Sequence, residues 1–353
     1  MSNSNSSPTS PAMWGSAETK YFYELTPDRI LDAVEAFGFR CTGRSIALNS
    51  MENRVYEVEI EVAQEAELKS PSERFRIVKF YRPGRWTREQ IAEEHQFLLD
   101  LVELEIPVVA PVQFGDGETV LKVPGAEIWC AVFPKVGGRN PDELRTEQLP
   151  LVGRLLARLH ACGAVREAPH RIELTPETYG RQSLQFLLER GALPSSLEKR
   201  YHNAVETICD VSEPLFAEAT LQRIHGDCHL GNLLWGEYGP FWVDFDDMVR
   251  GPCVQDLWLI VPGRDDDARR QLDTLLDAYE QMRSFDYRSL RLIEPLRSLR
   301  MIHFSAWIAK RFDDPAFQRA FGDFGTERYW MEQVRHLEEQ VEVIEQSLAH
   351  PQW

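Results

Sequence analysis

The segment HGDCHLGN, residues 225–232, places side chains suited to phosphoryl transfer at a short spacing. Asp227 is a candidate general base, and Asn232, five residues later, offers a neutral amide oxygen. A strand-like run, 241–243, then leads to a second carboxylate at Asp244. Phosphoryl transfer uses a carboxylate that accepts a hydroxyl proton, beside oxygen ligands that hold a divalent cation on a polyphosphate. The pattern therefore predicts an ATP-dependent reaction with Mg²⁺ or Mn²⁺ at Asn232 and Asp244.

Two further acids, Asp246 and Asp247, crowd the same span as Asp227 and Asp244. Unit charges ~4 Å apart repel by about 4 kcal/mol at an effective dielectric of about 20. We therefore expect these four carboxylates to need a divalent cation.

Lys79 and Glu94 form a second candidate pair. Lys79 lies in the middle of a predicted strand, and Glu94 falls inside the apolar stripe of the following helix. A carboxylate on an apolar face is costly unless it meets a cation, so we predict a Lys79–Glu94 ion pair. Kinases use such a pair to hold the ATP phosphates. The alternative is a rotated helix that leaves Glu94 in solvent.

A rival chemistry involves His225, Asp227 and His229. If this segment is a strand, the three alternate side chains share one face and could bind zinc, as in a metal-dependent hydrolase. That reading leaves Lys79 and Asn232 without a role.

The composition sets broader limits. The chain has 353 residues, enough for two lobes, and its net charge of −17 opposes binding to nucleic acid. Six widely spaced cysteines without a CxxC pair indicate reduced thiols. The sequence contains neither a signal-peptide pattern nor a ~20-residue apolar run. We therefore expect a cytoplasmic protein without a membrane segment, and a monomer.

The predicted elements divide at the pair Gly137-Gly138. Residues 1–18 are rich in Ser, Asn and Pro and are predicted to be a disordered tail. Residues 19–137 read as a β-rich lobe with one main helix, opened by a capping box at 87–90. Residues 138–353 read as mostly helical, with two short strands around 221–236 and 240–246. The predicted helices of this part lie near 143–162, 176–190, 195–209, 265–283, 288–311 and 326–348.

An ordered set of segments resembles the aminoglycoside/choline kinase branch of the protein-kinase-like superfamily and, within it, the bacterial stress response kinase A family. The segments are NSMENRVYEV (49–58), IVKFYRPGRWT (77–87), EEHQFL (93–98), AVFPKVGGR (131–139), LLARLH (155–160), HGDCHLGNLLW (225–235), VDFDD (243–247) and GPCVQDLW (251–258). The resemblance covers about residues 20–320.

The resemblance implies an α+β, bilobal protein-kinase-like fold with a β-rich N-lobe and a mostly helical C-lobe. It also implies ATP and Mg²⁺ as cofactors. The roles that it assigns are catalysis by Asp227 and Asp244 and metal binding by Asn232 and Asp244. In the nucleotide site it assigns phosphate contacts to Ser50 and Lys79, pairing with Lys79 to Glu94, and an adenine-reading hinge to 131–137, which includes Phe133. Asp256 would support the catalytic loop.

Two features depart from the pattern of protein kinases. The nucleotide-covering turn at 49–53 has no glycine, and Asp244-Phe245-Asp246 replaces Asp-Phe-Gly with no APE-like segment after it. The predicted activity is a serine/threonine protein kinase of the bacterial stress response. The alternatives are a kinase of small-molecule hydroxyls, such as aminoglycosides, choline or homoserine, and a nucleotide-binding pseudokinase.

Overall fold

Strands with alternating apolar and polar side chains build an antiparallel sheet in the first part of the chain. The structure is a computed structural model that describes residues 22–62, 68 and 70–349. In β2, Val58 and Ile60 are buried and the intervening Glu59 is not, as the alternation predicts. The five strands lie in the order β1-β2-β3-β5-β4. They are β1 Cys41–Leu48, β2 Arg54–Ile60, β3 Phe75–Phe80, β4 Leu121–Lys122 and β5 Trp129–Pro134.

Helix α1, Pro27–Glu35, belongs to the core of this sheet. Its Thr26 cap accepts a hydrogen bond from the Arg29 amide, and proline occupies the first turn. The buried Ile30 and Val34 join the same apolar cluster as side chains of β2, β3 and β5. The sheet therefore presents one face to this core.

Helix α2, Arg88–Glu103, is the main helix of this part and begins at the predicted capping box. Thr87 accepts from the Gln90 amide, and the Gln90 side chain accepts from the Thr87 amide. Its buried face includes Ile91, Glu94 and Leu98. The prediction that Glu94 belongs to the apolar stripe is confirmed.

The segments that carry Asp227, Asn232 and Asp244 connect four short strands. β6 pairs with β9, and β7 pairs with β8, all antiparallel. The sequence pattern indicated two strands where the structure has four, and it missed α6, a fully buried helix of seven residues that is too short for a periodic signal. The elements are α3 Leu149–Gly163, β6 Gln222–Ile224, β7 Leu233–Gly236, β8 Gly239–Trp242, β9 Val249–Gly251, α6 Val254–Ile260 and α7 Asp266–Glu280.

The other helices largely follow the predicted positions. A π-helical turn, Pro176–Arg181, precedes α4 where one helix was expected. Helix α5 continues beyond the predicted end at 209, through Pro214. A 3-10 turn, Tyr287–Leu292, occupies the predicted start of α8. The helices are α4 Gln182–Glu189, α5 Ser195–Ala217, α8 Ile293–Arg311, α9 Pro315–Ala320 and α10 Glu327–Ala349.

The described residues form two compact units. One comprises the sheet, α2, α3 and residues 221–287, and the other comprises residues 172–220 and 288–349. Every candidate site residue belongs to the first unit. The lobe boundary at Gly137-Gly138 stays a prediction, and the predicted tail at 1–18 lies outside the described residues. No helix in the described part of the chain is long and apolar enough to span a bilayer.

Candidate active site

The loop that carries Asp227 is held by a buried carboxylate on α6. Asp256 accepts hydrogen bonds from the amides of His225, at 3.0 Å, and Gly226, at 2.8 Å. His160 of α3 lies 3.0 Å from the same carboxylate. This is the supporting position implied for Asp256 by the resemblance. Because the contacting residues of α3 and α6 are both buried, these contacts fix the position of the loop backbone.

Gly226 turns the loop sharply. Its φ is +86°, and a Cβ atom there would lie 2.3 Å from the backbone oxygen of Asp247. Glycine, which has no Cβ atom, allows both the positive φ and the close approach of the two backbones. The chain therefore leaves β6 in a turn, with the Asp247 segment directly against it.

This turn rules out the strand required by the zinc alternative. His225 is buried, and its ring is occupied on both nitrogens: Nδ1 accepts from the Asp227 amide at 3.2 Å, and Nε2 bonds to the Val243 oxygen at 3.0 Å. His225, Asp227 and His229 do not form a metal-binding cluster, and the residues that the structure describes contain no group of three His, Cys, Asp or Glu suited to a metal.

Asn232 is bonded directly to Asp227. Its Nδ2 donates to the Asp227 backbone oxygen at 3.0 Å and lies 3.4 Å from Asp227 Oδ2. His229 Nε2 lies 3.3 Å from the same Oδ2. Because the amide nitrogen of Asn232 faces Asp227, the amide oxygen is the end available to a cation.

Asp244 follows a residue whose backbone is bonded to that of Asn232. The backbone amide of Val243 donates to the backbone oxygen of Asn232 at 3.0 Å. This bond joins the segment after β8 to the catalytic loop. Asp244 has φ +60° and ψ +67°, a left-handed conformation that is uncommon for residues other than glycine. Its side chain is 57% exposed. The carboxylate is thus presented outward from a tightly fixed backbone.

Lys79 of β3 meets three carboxylates. Its Nζ lies 3.0 Å from Asp246, 3.3 Å from Asp244 and 3.6 Å from Glu94. The predicted Lys79–Glu94 pair is therefore present. Burial alone would lower the pKa of Lys79, but these three carboxylates raise it well above the usual value, so the side chain stays charged.

Arg85 corrects the expectation that the acid cluster needs a divalent cation. It pairs with both Asp246 and Asp247 through its two terminal nitrogens, and Asp246 also contacts Lys79. Burial would raise the pKa of Asp246, but Lys79, Arg85 and Arg171 hold it well below its usual range. The protein's own cations therefore neutralise much of the cluster.

Sequence reasoning missed Arg85 and Arg171. Arg171 Nη2 donates to Glu94 at 2.9 Å, so Glu94 has two cationic partners. The proximity of Arg85 to Lys79 in IVKFYRPGRWT was a signal for its role. Arg171 follows α3 in a segment without a motif, and we find no sequence signal for it.

Ser50 and Phe133 are the two remaining residues to which the resemblance gives a nucleotide contact. Ser50 is half-buried in the β1–β2 turn, whose backbone is held by Arg82: Nη2 donates to the Met51 oxygen at 3.1 Å and Nε to the Glu52 oxygen at 2.8 Å. Phe133 of β5 is paired with Ile77 of β3. Their contacts with nucleotide stay predictions.

The donor set fits a magnesium ion. Mg²⁺ is usually bound through one or two carboxylates, substrate phosphates and water. Asp244 supplies an exposed carboxylate and Asn232 an amide whose nitrogen is bonded to Asp227, whereas Asp246 and Asp247 are engaged by Arg85. These observations support Asn232 and Asp244 as the ligands.

Comparisons with known proteins agree with this geometry. A model of the phosphotransferase enzyme family matches residues 46–293. The chain is 40% identical to stress response kinase A of Escherichia coli K12, over 92% of this chain and 95% of that protein. It is 39% identical to serine/threonine protein kinase RdoA of Salmonella typhimurium, over 92% and 94% of the two chains.

A solved structure has the same fold. The amicoumacin kinase hAmiN, in complex with AMP-PNP, Ca²⁺ and Ami, aligns with a TM-score of 0.61 at 19% identity, over 84% of this chain and 91% of that one. The likeness confirms the predicted α+β, bilobal protein-kinase-like fold.

Proposed function

Because the chain belongs to the phosphotransferase enzyme family and, within it, to the stress response kinase A family, we propose that this kinase transfers the γ-phosphoryl group of ATP to serine or threonine hydroxyls of proteins. We place its action in the cytoplasmic stress response of a bacterium, with Mg²⁺ as the metal. The observation that carries the proposal is the set of contacts that bind Asn232 to Asp227 and Lys79 to Asp244, with the backbone of Val243, which precedes Asp244, bonded to that of Asn232.

Asp227 is the proton acceptor in this proposal. Its position is fixed by the Asn232 side chain and by the Asp256-anchored backbone. A positioned carboxylate contributes about 10²- to 10⁴-fold by accepting the hydroxyl proton. His229, 3.3 Å away, would donate to the carboxylate and orient it.

Lys79 and the metal ligands act on the phosphates. The always-charged Lys79 would contact the nucleotide phosphates, with Ser50 and the β1–β2 turn covering them. A magnesium ion bound at Asn232 and Asp244 supplies neutralisation of charge on the phosphate oxygens. Strand β5, with Phe133, would provide the backbone that reads adenine.

A protein acceptor is favoured by the names of the relatives that share about two fifths of the sequence, one of which is a serine/threonine protein kinase. The alternative is a small-molecule hydroxyl acceptor. The acidic residues near 246–267 favour a cationic acceptor of that kind, although Asp266 and Asp267 are already paired with Arg269 and Arg270. The phosphoryl-transfer residues would be the same in both cases.

Transfer from γ-labelled ATP tests the proposal. The protein is incubated with Mg²⁺, a bacterial protein extract and a panel of amino alcohols, sugars and aminoglycosides. We expect label on serine or threonine of proteins. Label on small molecules alone would contradict the protein acceptor, and nucleotide binding without any transfer would indicate a pseudokinase.

Two variants provide the controls. Asp227→Asn should lower the rate of labelling of every acceptor by about 10²- to 10⁴-fold, because it lacks the proton acceptor. Asp116→Asn changes a carboxylate in an exposed turn far from the loop in sequence and should label as the wild type does. Equal labelling by both variants would exclude Asp227 as the base.

A further inference from the structure

Helix α2 is docked to the segment that follows α3 by three consecutive contacts. Gln90 Nε2 donates to the His170 oxygen at 3.0 Å. The Glu93 carboxylate accepts from the amides of His170, at 3.1 Å, and Arg171, at 2.8 Å. The helix that carries Glu94 is therefore tied to residues 170–171 through its first two turns.

Arg171 extends this attachment into the site. It is buried, with 3% exposure, and its Nη2 donates to Glu94 Oε2 at 2.9 Å. Its Nη1 donates to the backbone oxygen of Asp246 at 3.1 Å. The guanidinium thus bridges the helix glutamate to the segment that begins at the metal ligand Asp244.

A tryptophan keeps this bridge in place. Two guanidinium groups contact Trp86, with the Cζ of Arg171 4.5 Å and that of Arg85 4.8 Å from the ring centroid. A planar guanidinium that stacks on an aromatic ring while bonding at both nitrogens has few alternative conformations. Arg171 is consequently fixed in direction as well as in position.

The charges around Lys79 show what Arg171 contributes. Lys79 is shared among Glu94, Asp244 and Asp246. Glu94 is 1% exposed and lies nearer to Arg171, at 2.9 Å, than to Lys79, at 3.6 Å. Without Arg171, the buried Glu94 would depend on Lys79 alone, and Lys79 would be drawn away from the phosphates.

We propose that Arg171 is a positioning residue for phosphoryl transfer, which holds Glu94 beside Lys79 and fixes the Asp244 segment without a phosphorylated activation loop. The inference rests on the proposed kinase function. Arg171 itself touches no reacting atom, and it acts through Glu94 and through the backbone of Asp246.

A double-mutant cycle tests the proposal. Arg171→Met is made alone and in the Glu94→Gln background, and kcat, KM for ATP and the dissociation constant of Mg-ATP are measured for each. We expect the single variant to lose about 100-fold in kcat/KM, because a small misplacement of catalytic groups has that effect. In the Glu94→Gln background the same change should have a clearly smaller effect, because only the contact with the Asp246 backbone is then lost.

Arg223 supplies a matched control. It is 2% exposed, bonds to Asp100 of the same helix at 2.8 Å and stacks on Phe97 at 4.6 Å, but it contacts none of the candidate site residues. Arg223→Met should lower the melting temperature as Arg171→Met does and leave KM for ATP unchanged. If Arg171→Met and Arg223→Met lose equally in kcat/KM, Arg171 has only a structural role.

Two further results would overturn the proposal: full additivity of Arg171→Met with Glu94→Gln, or wild-type kinetics in Arg171→Met. If Arg171→Met does not fold, Arg171→Lys replaces it, since lysine keeps the charge near Glu94 but loses the two-nitrogen bridge. If the wild type binds Mg-ATP but labels no protein, the proposed acceptor is wrong. The role of Arg171 is then tested by the same double-mutant cycle, with the dissociation constant of Mg-ATP as the measured quantity.

Discussion

Asp244 shows how a single residue can be held in an unfavourable conformation for chemistry. Its left-handed backbone costs on the order of 1–3 kcal/mol for a residue other than glycine. The backbone bond from Val243 to Asn232 and the contact of its carboxylate with Lys79 maintain it. In this conformation the carboxylate is 57% exposed, as its proposed role as a metal ligand requires.

The variant Asp244→Asn removes the charge of the side chain but can keep the left-handed backbone conformation. Asparagine tolerates left-handed backbone, so the melting temperature should stay close to that of the wild type. The Mg²⁺ concentration for half-maximal nucleotide binding should rise at least about tenfold, because a charged ligand is lost. Titration of nucleotide binding with Mg²⁺ measures this, and an unchanged titration curve would remove Asp244 from the metal site.

Asp227→Asn isolates proton acceptance. The amide retains the size and hydrogen bonds of the side chain but does not take a proton, so kcat should fall by about 10²- to 10⁴-fold. The affinity for ATP should be nearly unchanged. Single-turnover kinetics and calorimetry give the two values, and a loss of ATP affinity without a change in kcat would show that the residue serves binding instead.

His95 of α2 makes stability depend on pH. Burial lowers its pKa to about 3, and both ring nitrogens are bonded, to Tyr81 and Thr119. The unfolded chain, with an imidazole pKa of about 6.5, binds more protons below that pH. The folded state should therefore lose about 1.4 kcal/mol per pH unit as the pH falls below about 6.5.

The variant His95→Gln checks this sign. Its free energy of unfolding is compared with that of the wild type at several pH values by urea denaturation. The wild type should lose stability relative to the variant as the pH falls from about 6.5 to about 5. A difference that does not change with pH would mean that His95 does not stay neutral in the folded protein.

At the scale of elements, close backbone approaches decide which helices can meet. Gly153 of α3 faces α7, and a Cβ there would lie 2.3 Å from the Leu275 backbone oxygen. Gly226 has the equivalent role between the catalytic loop and the Asp247 segment. In both places glycine allows one backbone to rest directly on another.

Gly153→Ala should consequently push α3 away from α7. Overpacking typically costs about 1–3 kcal/mol, which exceeds the ~1 kcal/mol that alanine gains over glycine in a helix. Gly137→Ala is the control, because nothing lies within 4 Å of its added Cβ. Urea unfolding compares the two, and equal stability of both variants would contradict the packing argument.

At the scale of the whole molecule, the net charge of −17 is a source of self-repulsion. Raising the ionic strength from ~0.01 M to ~0.15 M shortens the Debye length from about 30 Å to about 8 Å. We expect the melting temperature to rise by a few degrees over this range, measured by circular dichroism. Choline chloride should act as NaCl does, and a melting temperature that falls with salt would show that ion pairs outweigh the repulsion.

The sequence alone determined the parts of this protein that depend on near neighbours. The Asp227–Asn232 spacing, the capping box at Thr87 and Gln90, and the place of Glu94 on its helix were all predicted because local spacing sets them. The same reasoning failed for the turn at Gly226 and for the short helix α6, where packing overrides periodicity.

Only the tertiary structure decided which charges meet. Arg85 and Asp246 are 161 positions apart in the chain, and Arg171 and Glu94 are 77 apart. A buried carboxylate must have a cationic partner, since an unpaired buried charge is very costly. The sequence shows that Glu94 needs a partner, because the spacing places it on an apolar helix face. Which cation becomes the partner depends on which loops the packed helices and strands bring together.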